Sequence, residues 1–135
     1  MIFTHHTLQV ELSDDWWADA EMAGFVPVSR SYRADLNFFK NRTPIVEIAI
    51  ADICPVQRSI GIFRDSEDGV PVRERVVKIL RGFRLGELIP AVEVLESKSG
   101  SAYRYKLTNG THRLYCSLAS GFTHVPTVKG FDWGA

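Results

Sequence analysis

Hydrophobic and polar positions follow two different periods along residues 103–121, and the change of period predicts a strand followed by a helix. Apolar and polar side chains alternate over residues 103–108, which is typical of a half-buried strand. After the Asn109-Gly110 pair the spacing becomes four, as between Leu114 and Leu118, and Gly121 is a suitable helix stop. We therefore predict a strand, a tight glycine turn and a short helix.

This turn is also a candidate anion site. A helix that opens on His112-Arg113 would place free backbone N–H groups and the positive end of its dipole beside two cationic side chains. The alternative is a two-residue β-hairpin, the commonest use of Asn-Gly between strands. The helical spacing after Gly110 favours the strand–turn–helix interpretation.

The rest of the chain supplies further elements of the same kinds. Residues 1–12 are predicted to be extended, a helix to run from Ser13 to a stop at Gly24, and Ile45–Ile50 and Ile89–Leu95 to form strands. A helix beginning near Pro71 has an apolar stripe of Val72, Val76, Ile79, Leu80 and Phe83. From residue 45 onward, the order of the elements is strand, helix, strand, turn, strand, helix and strand. This order predicts an α+β fold with a mixed sheet.

Composition is that of one ordinary globular domain over residues 1–135, with 45% apolar and 24% charged residues. No apolar run reaches transmembrane length and no signal peptide is recognisable. Cys54 and Cys116 have no metal-ligand spacing, so we expect reduced thiols and a cytoplasmic protein. The net charge of zero argues against a surface built for non-specific DNA binding. Positive charge is instead local, because residues 97–131 contain five Lys or Arg and no Asp or Glu.

Residues 1–44 are predicted to be an N-terminal extension. The pair Trp16-Trp17 is expected to anchor a core or a protein interface rather than to stack on a base. The pair His5-His6 is expected to lie in a mobile terminus rather than in a metal site. Residues 27–44 interleave basic and aromatic side chains, as single-stranded nucleic-acid grooves do, but an irregular surface connection is the favoured interpretation.

Three parts of the chain together resemble the superfamily shared by the N-terminal domain of ParB partition proteins, also called the ParB-like nuclease domain, and sulfiredoxin. The resemblance covers residues 46–128. Its parts are Ile53–Arg58, the helix followed by Ile89–Val94, and Tyr105–Val128 with a Gly-x-His-Arg sequence at Gly110–Arg113. It implies a ParB/sulfiredoxin-like mixed β-sheet packed with short helices over residues 45–130.

The resemblance also implies a ligand, because the corresponding turn holds nucleotide phosphates: CTP in ParB and ATP in sulfiredoxin and free-serine kinases. We therefore expect a nucleoside triphosphate with Mg²⁺. The expected binding residues are Asn109, Gly110, Thr111, His112, Arg113 and, from the neighbouring strand end, Arg58. His112 is the candidate acid or base of a phosphoryl-transfer or nucleotide-hydrolysing reaction. Arg73, Arg75 or Lys78 on the preceding helix are candidates to close the pocket.

Departures from the family's sequence pattern limit the reactions that we expect of this chain. Thr111 stands where sulfiredoxin has its reactive cysteine, and Cys116 is expected to pack in the core, so sulfiredoxin chemistry is not expected. No carboxylate stands near Gln57-Arg58, where serine kinases have their base. The chain ends at Ala135, so a DNA-reading domain like that of ParB is not expected. The alternatives are a non-catalytic ParB-like module with a protein or DNA partner, contacted through the N-terminal extension, and a nuclease, for which no two-metal carboxylate set is evident.

Overall fold

A computed structural model describes residues 1–36, 44–57, 61–63 and 71–130. In these ranges the strands are β1 (Ile2–His5), β2 (Leu8–Glu11), β3 (Val46–Ala49), β4 (Val92–Glu96), β5 (Tyr105–Asn109) and β6 (His124–Lys129). The helices are α1 (Asp14–Asp19), α2 (Val72–Leu85) and α3 (Thr111–Ala119). A short 3-10 turn, Ile50–Asp52, follows β3.

The predicted α+β class with a mixed sheet is confirmed. The main sheet has the strand order β3-β6-β4-β5. Strand β6 is antiparallel to β3 and parallel to β4, while β4 and β5 are antiparallel. Strands β1 and β2 form a separate antiparallel hairpin. The prediction of one extended segment over residues 1–12 therefore becomes two strands that reverse direction at His6-Thr7.

The core lies where α2 and α3 pack together beside the sheet. The predicted stripe of α2 is confirmed: Val72, Val76, Leu80 and Phe83 are buried and Ile79 is half-buried. Cys116 on α3 is fully buried, as predicted. The N-terminal extension contributes to the same core cluster through Val10, Leu12, Ala20, Met22 and Tyr32, and Trp16 and Trp17 pack against it.

The strand–turn–helix prediction at Gly110 is confirmed over the hairpin alternative. Strand β5 ends at Asn109 and α3 begins at Thr111, with Gly110 as its N-cap residue at a φ of 105°. The left-handed region is costly for residues with a Cβ. Space is also limiting, since a Cβ built on Gly110 would lie 2.8 Å from Cγ1 of Val92 in β4. A glycine is thus required for β5 to turn into α3 against β4.

Helix α1 is shorter than predicted. It ends at Asp19, because Ala20 is its C-cap and Glu21 adopts a left-handed φ of 58°. Ser13 occupies the N-cap position but forms no side-chain cap hydrogen bond. The early end turns the buried Met22 into the core and leaves Ala23 exposed. The prediction that this helix continues to a stop at Gly24 is therefore wrong.

The prediction of a mobile terminus at His5 is also wrong. His5 is 3% exposed, and its Nε2 donates to the carbonyl oxygen of Ile50 at 3.0 Å. Its Nδ1 then accepts from the Tyr115 hydroxyl at 2.8 Å, and that hydroxyl accepts from the Val56 N–H at 3.0 Å. Burial lowers the pKa of His5 and raises the pKa of Tyr115 to about 12. This network fastens β1 to α3 and to the segment after β3.

Gly110→Ala is expected to lower the free energy of unfolding by about 2–4 kcal/mol, because it adds a contact with Val92 to backbone strain. Gly100→Ala is the matched control, since Gly100 also has a positive φ, 89°, but no described residue lies within 4 Å of the position that a Cβ would occupy. Urea unfolding of both variants measures the difference. Equal losses in the two variants would contradict the steric role of Gly110.

The buried, neutral His5 is expected to make stability depend on pH. The unfolded chain takes up a proton at this residue near its ordinary pKa of 6.5, whereas the folded state resists protonation until a lower pH. This contribution is present above pH 6.5 and is lost as the pH falls below it. The slope of unfolding free energy against pH in that range should be smaller in His5→Gln. Most of it should remain in His6→Gln, because the charge of the exposed His6 contributes less to the lowered pKa of His5 than burial does. An unaltered slope in His5→Gln would refute the assignment.

Candidate functional site

The turn between β5 and α3 opens onto a cleft of about 720 Å³. Three parts of the chain line it: one side of α2, the segment that leads into β4, and the turn itself. The lining residues are Arg75, Lys78, Ile79, Glu87, Leu88, Ile89, Pro90, Thr108, Asn109, Gly110, Thr111, His112 and Arg113. Helix α2 ends at Leu85, and its C-cap residue Gly86 has a left-handed conformation. The Glu87 N–H donates to the Gly82 carbonyl oxygen at 2.9 Å, so the chain leaves the helix along this wall.

Five of the six residues predicted from the sequence to bind phosphate lie on this one cleft. They are Asn109, Gly110, Thr111, His112 and Arg113. The sixth, Arg58, lies outside the described residues, as do Phe38, Phe39, Lys40 and Arg42 of the segment 27–44. The five are consecutive, so the strand–turn–helix geometry accounts for their proximity.

The first turn of α3 lines the cleft, and its start has no side-chain cap. The Gly110 carbonyl accepts the first helical hydrogen bond, from Leu114 N–H at 2.9 Å. The amides of Thr111 and Arg113 have no partner within the described part of the chain, and Gly110 has no side chain with which to cap them. Unpaired amides at the positive end of the helix dipole favour a bound anion.

Arg113 has a structural role as well as a place on the cleft. Its Nη1 donates to the carbonyl oxygens of Pro90 at 3.0 Å and of Ala91 at 2.7 Å. Its Nη2 would lie 3.2 Å from a Cβ at Gly110. Because Nη1 carries two hydrogens and both are used, Nε and Nη2 are the donors that remain for a ligand. Arg113 thus joins the start of α3 to the start of β4.

The His112 ring is fixed by contacts with the segment 61–63. Its Nε2 donates to the carbonyl oxygen of Ile62 at 3.1 Å, and the ring stacks on Phe63 at a centroid distance of 5.8 Å. Because a carbonyl only accepts, the Nε2 atom carries a hydrogen in this arrangement. His112 therefore ties this segment to the turn.

The other two side chains of the turn, Asn109 and Thr111, differ in their hydrogen bonding. Asn109 donates from Nδ2 to Oε2 of Glu93 at 2.7 Å, which holds the end of β5 against β4. The Thr111 hydroxyl forms no hydrogen bond with the residues that the structure describes. Thr111 therefore has a hydroxyl beside the uncapped amides that a ligand can engage.

Helix α2 adds positive charge across the cleft from the turn. Lys78 is exposed and forms no ion pair with a described residue, and Arg75 is half-buried on the same wall. Arg73 faces away, where it pairs with Asp19 of α1 at 2.5 Å. Glu87 is the one carboxylate among the described lining residues. The balance of charge in the cleft is thus positive.

Leu88 and Tyr32 contribute to the cleft without any signal in the sequence. The apolar part of the wall comes from Ile79, which belongs to the predicted stripe of α2, and from Leu88, which is 50% exposed. Tyr32 supports the wall from behind, since its hydroxyl donates to the Pro90 carbonyl at 2.6 Å. Tyr32 lies in an aperiodic segment, so no pattern could have linked it to Pro90.

Two other kinds of site are absent from the described ranges. No group of three or more His, Cys, Asp or Glu side chains in residues 1–36, 44–57, 61–63 and 71–130 is arranged to hold a metal ion. Among the same residues, no helix has the length and apolar character needed to cross a membrane. Cys54 and Cys116 are both free thiols.

Comparison with known proteins gave no match: no family model, no curated protein and no solved structure shows significant similarity to this chain. A functional proposal therefore rests on the geometry of the cleft and on the sequence pattern at Gly110–Arg113.

Arg113→Ala is expected to lower the free energy of unfolding by about 1–3 kcal/mol, because the Pro90 and Ala91 carbonyls lose a charged donor. Arg104→Ala is the control, since Arg104 is exposed and its guanidinium lies over the Tyr105 ring, 5.4 Å from the centroid. Chemical denaturation compares the two. If Arg113→Ala is as stable as Arg104→Ala, the two carbonyl contacts do not support the fold.

Proposed function

We propose that this protein binds the phosphate groups of a nucleoside triphosphate, CTP or ATP with Mg²⁺, in the cleft at residues 109–113. The observation that carries the proposal is the start of α3 on the cleft: the Thr111 and Arg113 amides have no capping side chain, and both residues line the same cleft as Lys78. The volume of about 720 Å³ is within the range of small-molecule sites.

The parts of the cleft have complementary tasks in this proposal. The Thr111 and Arg113 amides bind phosphate oxygens, with help from the helix dipole. Lys78 neutralises charge from the opposite wall, and Nε and Nη2 of Arg113 supply directed donors. Mg²⁺ enters with the triphosphate and is held by phosphate oxygens and water. Ile79 and Leu88 offer apolar surface to the rest of the nucleotide.

Binding is better supported than catalysis. The Nε2 of His112, the candidate acid or base, already donates to the Ile62 carbonyl, so proton transfer through that atom requires this bond to break. The Thr111 hydroxyl can bind phosphate or metal-bound water without such a change. The resemblance to ParB and sulfiredoxin proteins supports a triphosphate ligand over a single phosphate.

Isothermal titration with CTP, ATP and GTP in the presence of Mg²⁺ tests the proposal. We expect saturable binding of at least one triphosphate, weakened about threefold to tenfold by Lys78→Ala because a cation that contacts phosphate is lost. Lys106→Ala removes the same charge from an exposed position of β5 away from the cleft, and should bind like the original protein.

Two outcomes would contradict the proposal: no binding of any triphosphate by the folded protein, or equal weakening by Lys78→Ala and Lys106→Ala. Analysis of the bound nucleotide for a diphosphate or a phosphorylated product distinguishes a binding protein from an enzyme. DNA retention that falls steeply with salt in the absence of nucleotide would favour the DNA-binding alternative.

A further inference from the structure

We propose that Tyr32 is a positioning residue for Arg113: its hydroxyl fixes the Pro90 carbonyl to which Arg113 is bound, and so holds the guanidinium at the cleft. This inference rests on the proposed function for its effect on ligand affinity. It assigns to the N-terminal extension a direct part in building the cleft.

Two donors converge on one carbonyl. The Pro90 oxygen accepts the Tyr32 hydroxyl at 2.6 Å and Nη1 of Arg113 at 3.0 Å, which uses both of its lone pairs. The next carbonyl, of Ala91, accepts the other hydrogen of Nη1 at 2.7 Å. The Pro90–Ala91 peptide lies before β4, whose pairing with β6 begins at Val92. The side chains of Tyr32 and Arg113 bind the peptide where strand pairing does not, so the orientation of this peptide depends on them.

The N-terminal extension is hydrogen-bonded to the segment that leads into β4. Ala34 forms a parallel bridge with Ile89. The Ile89 N–H donates to the carbonyl oxygen of Arg33 at 3.0 Å, and the Asp35 N–H donates to the carbonyl oxygen of Ile89 at 2.9 Å. The Tyr32 ring is 4% exposed and stacks on Phe83 of α2 at 5.2 Å. Because the ring is buried and stacked, its hydroxyl is directed at Pro90 with little freedom.

The Tyr32 hydroxyl also remains a hydrogen-bond donor over a wide pH range. Burial raises the pKa of Tyr32 far above its ordinary value, although the positive charge of Arg113 acts in the opposite sense. Tyr32 therefore stays protonated through the neutral and mildly alkaline range. Its bond to Pro90 is a constant constraint there and does not switch with pH.

Loss of this hydroxyl should loosen Arg113 without removing it. The Pro90 carbonyl would be held by Nη1 alone, so the peptide and the guanidinium could rotate together. A ligand would then have to order Arg113 at the moment of binding, which lowers affinity. We expect the contact between phosphate and Nε or Nη2 of Arg113 to weaken.

The test compares Tyr32→Phe with Tyr115→Phe. Each variant loses one buried tyrosine hydroxyl that donates a hydrogen bond, but the Tyr115 hydroxyl contacts His5 and Val56, away from the cleft. In titrations with the triphosphate that binds most tightly, Tyr32→Phe should raise the dissociation constant about threefold to tenfold. Tyr115→Phe should leave it unchanged even where its unfolding midpoint drops equally. Equal affinity of Tyr32→Phe and the original protein would overturn the inference.

A second measurement needs no nucleotide. In ¹⁵N-labelled protein, NMR of the Arg113 guanidinium, assigned with Arg113→Lys, reports rotation about the Nε–Cζ bond. We expect slow rotation in the original protein and in Tyr115→Phe, and faster rotation in Tyr32→Phe. If no triphosphate binds the original protein, the proposed function fails, and the rotation alone decides the inference: faster rotation in Tyr32→Phe supports it and unchanged rotation refutes it.

Discussion

The close approach of Gly110 to Val92 is the constraint on which the rest of the site depends. With a φ of 105° and a neighbouring side chain 2.8 Å from where a Cβ would stand, this position turns β5 into α3 directly against β4. The turn brings Arg113, near the start of the helix, within hydrogen-bonding distance of the Pro90 and Ala91 carbonyls. A single backbone conformation thereby sets the direction of α3, the exposure of its first amides and the anchoring of the facing wall.

The cleft is built by parts of the chain that are distant in sequence. Helix α2 provides positive charge, the segment before β4 provides the wall, and the N-terminal extension supports that wall through Tyr32 and the bridge at Ala34. Arg113 serves both the fold and the cleft, so its deletion changes stability and binding together. Lys78, which has no ion pair within the described ranges, is the cleaner probe of ligand binding.

Patterns with a short period predicted much of this architecture. The apolar stripe of α2 and the change of period at Gly110 depend on side chains three or four residues apart, and both were confirmed. The end of α1 was missed, because Glu21 adopts a left-handed φ that no propensity of glutamate indicates. The burial of His5 was missed because a polar residue near a terminus resembles an exposed one until its partners are known.

The α+β class, the order of the elements from residue 45 onward and the consecutive residues of the turn can be predicted from the amino-acid sequence, because they follow from local periodicity and from the one residue type that tolerates the conformation of Gly110. The contacts of those residues can be read only from the folded chain. His5 and Tyr115 are 110 positions apart, and Tyr32 is linked to Arg113 through a backbone carbonyl that every residue possesses. Such contacts leave no spacing or residue type in the chain, because they arise when separate elements pack around one core.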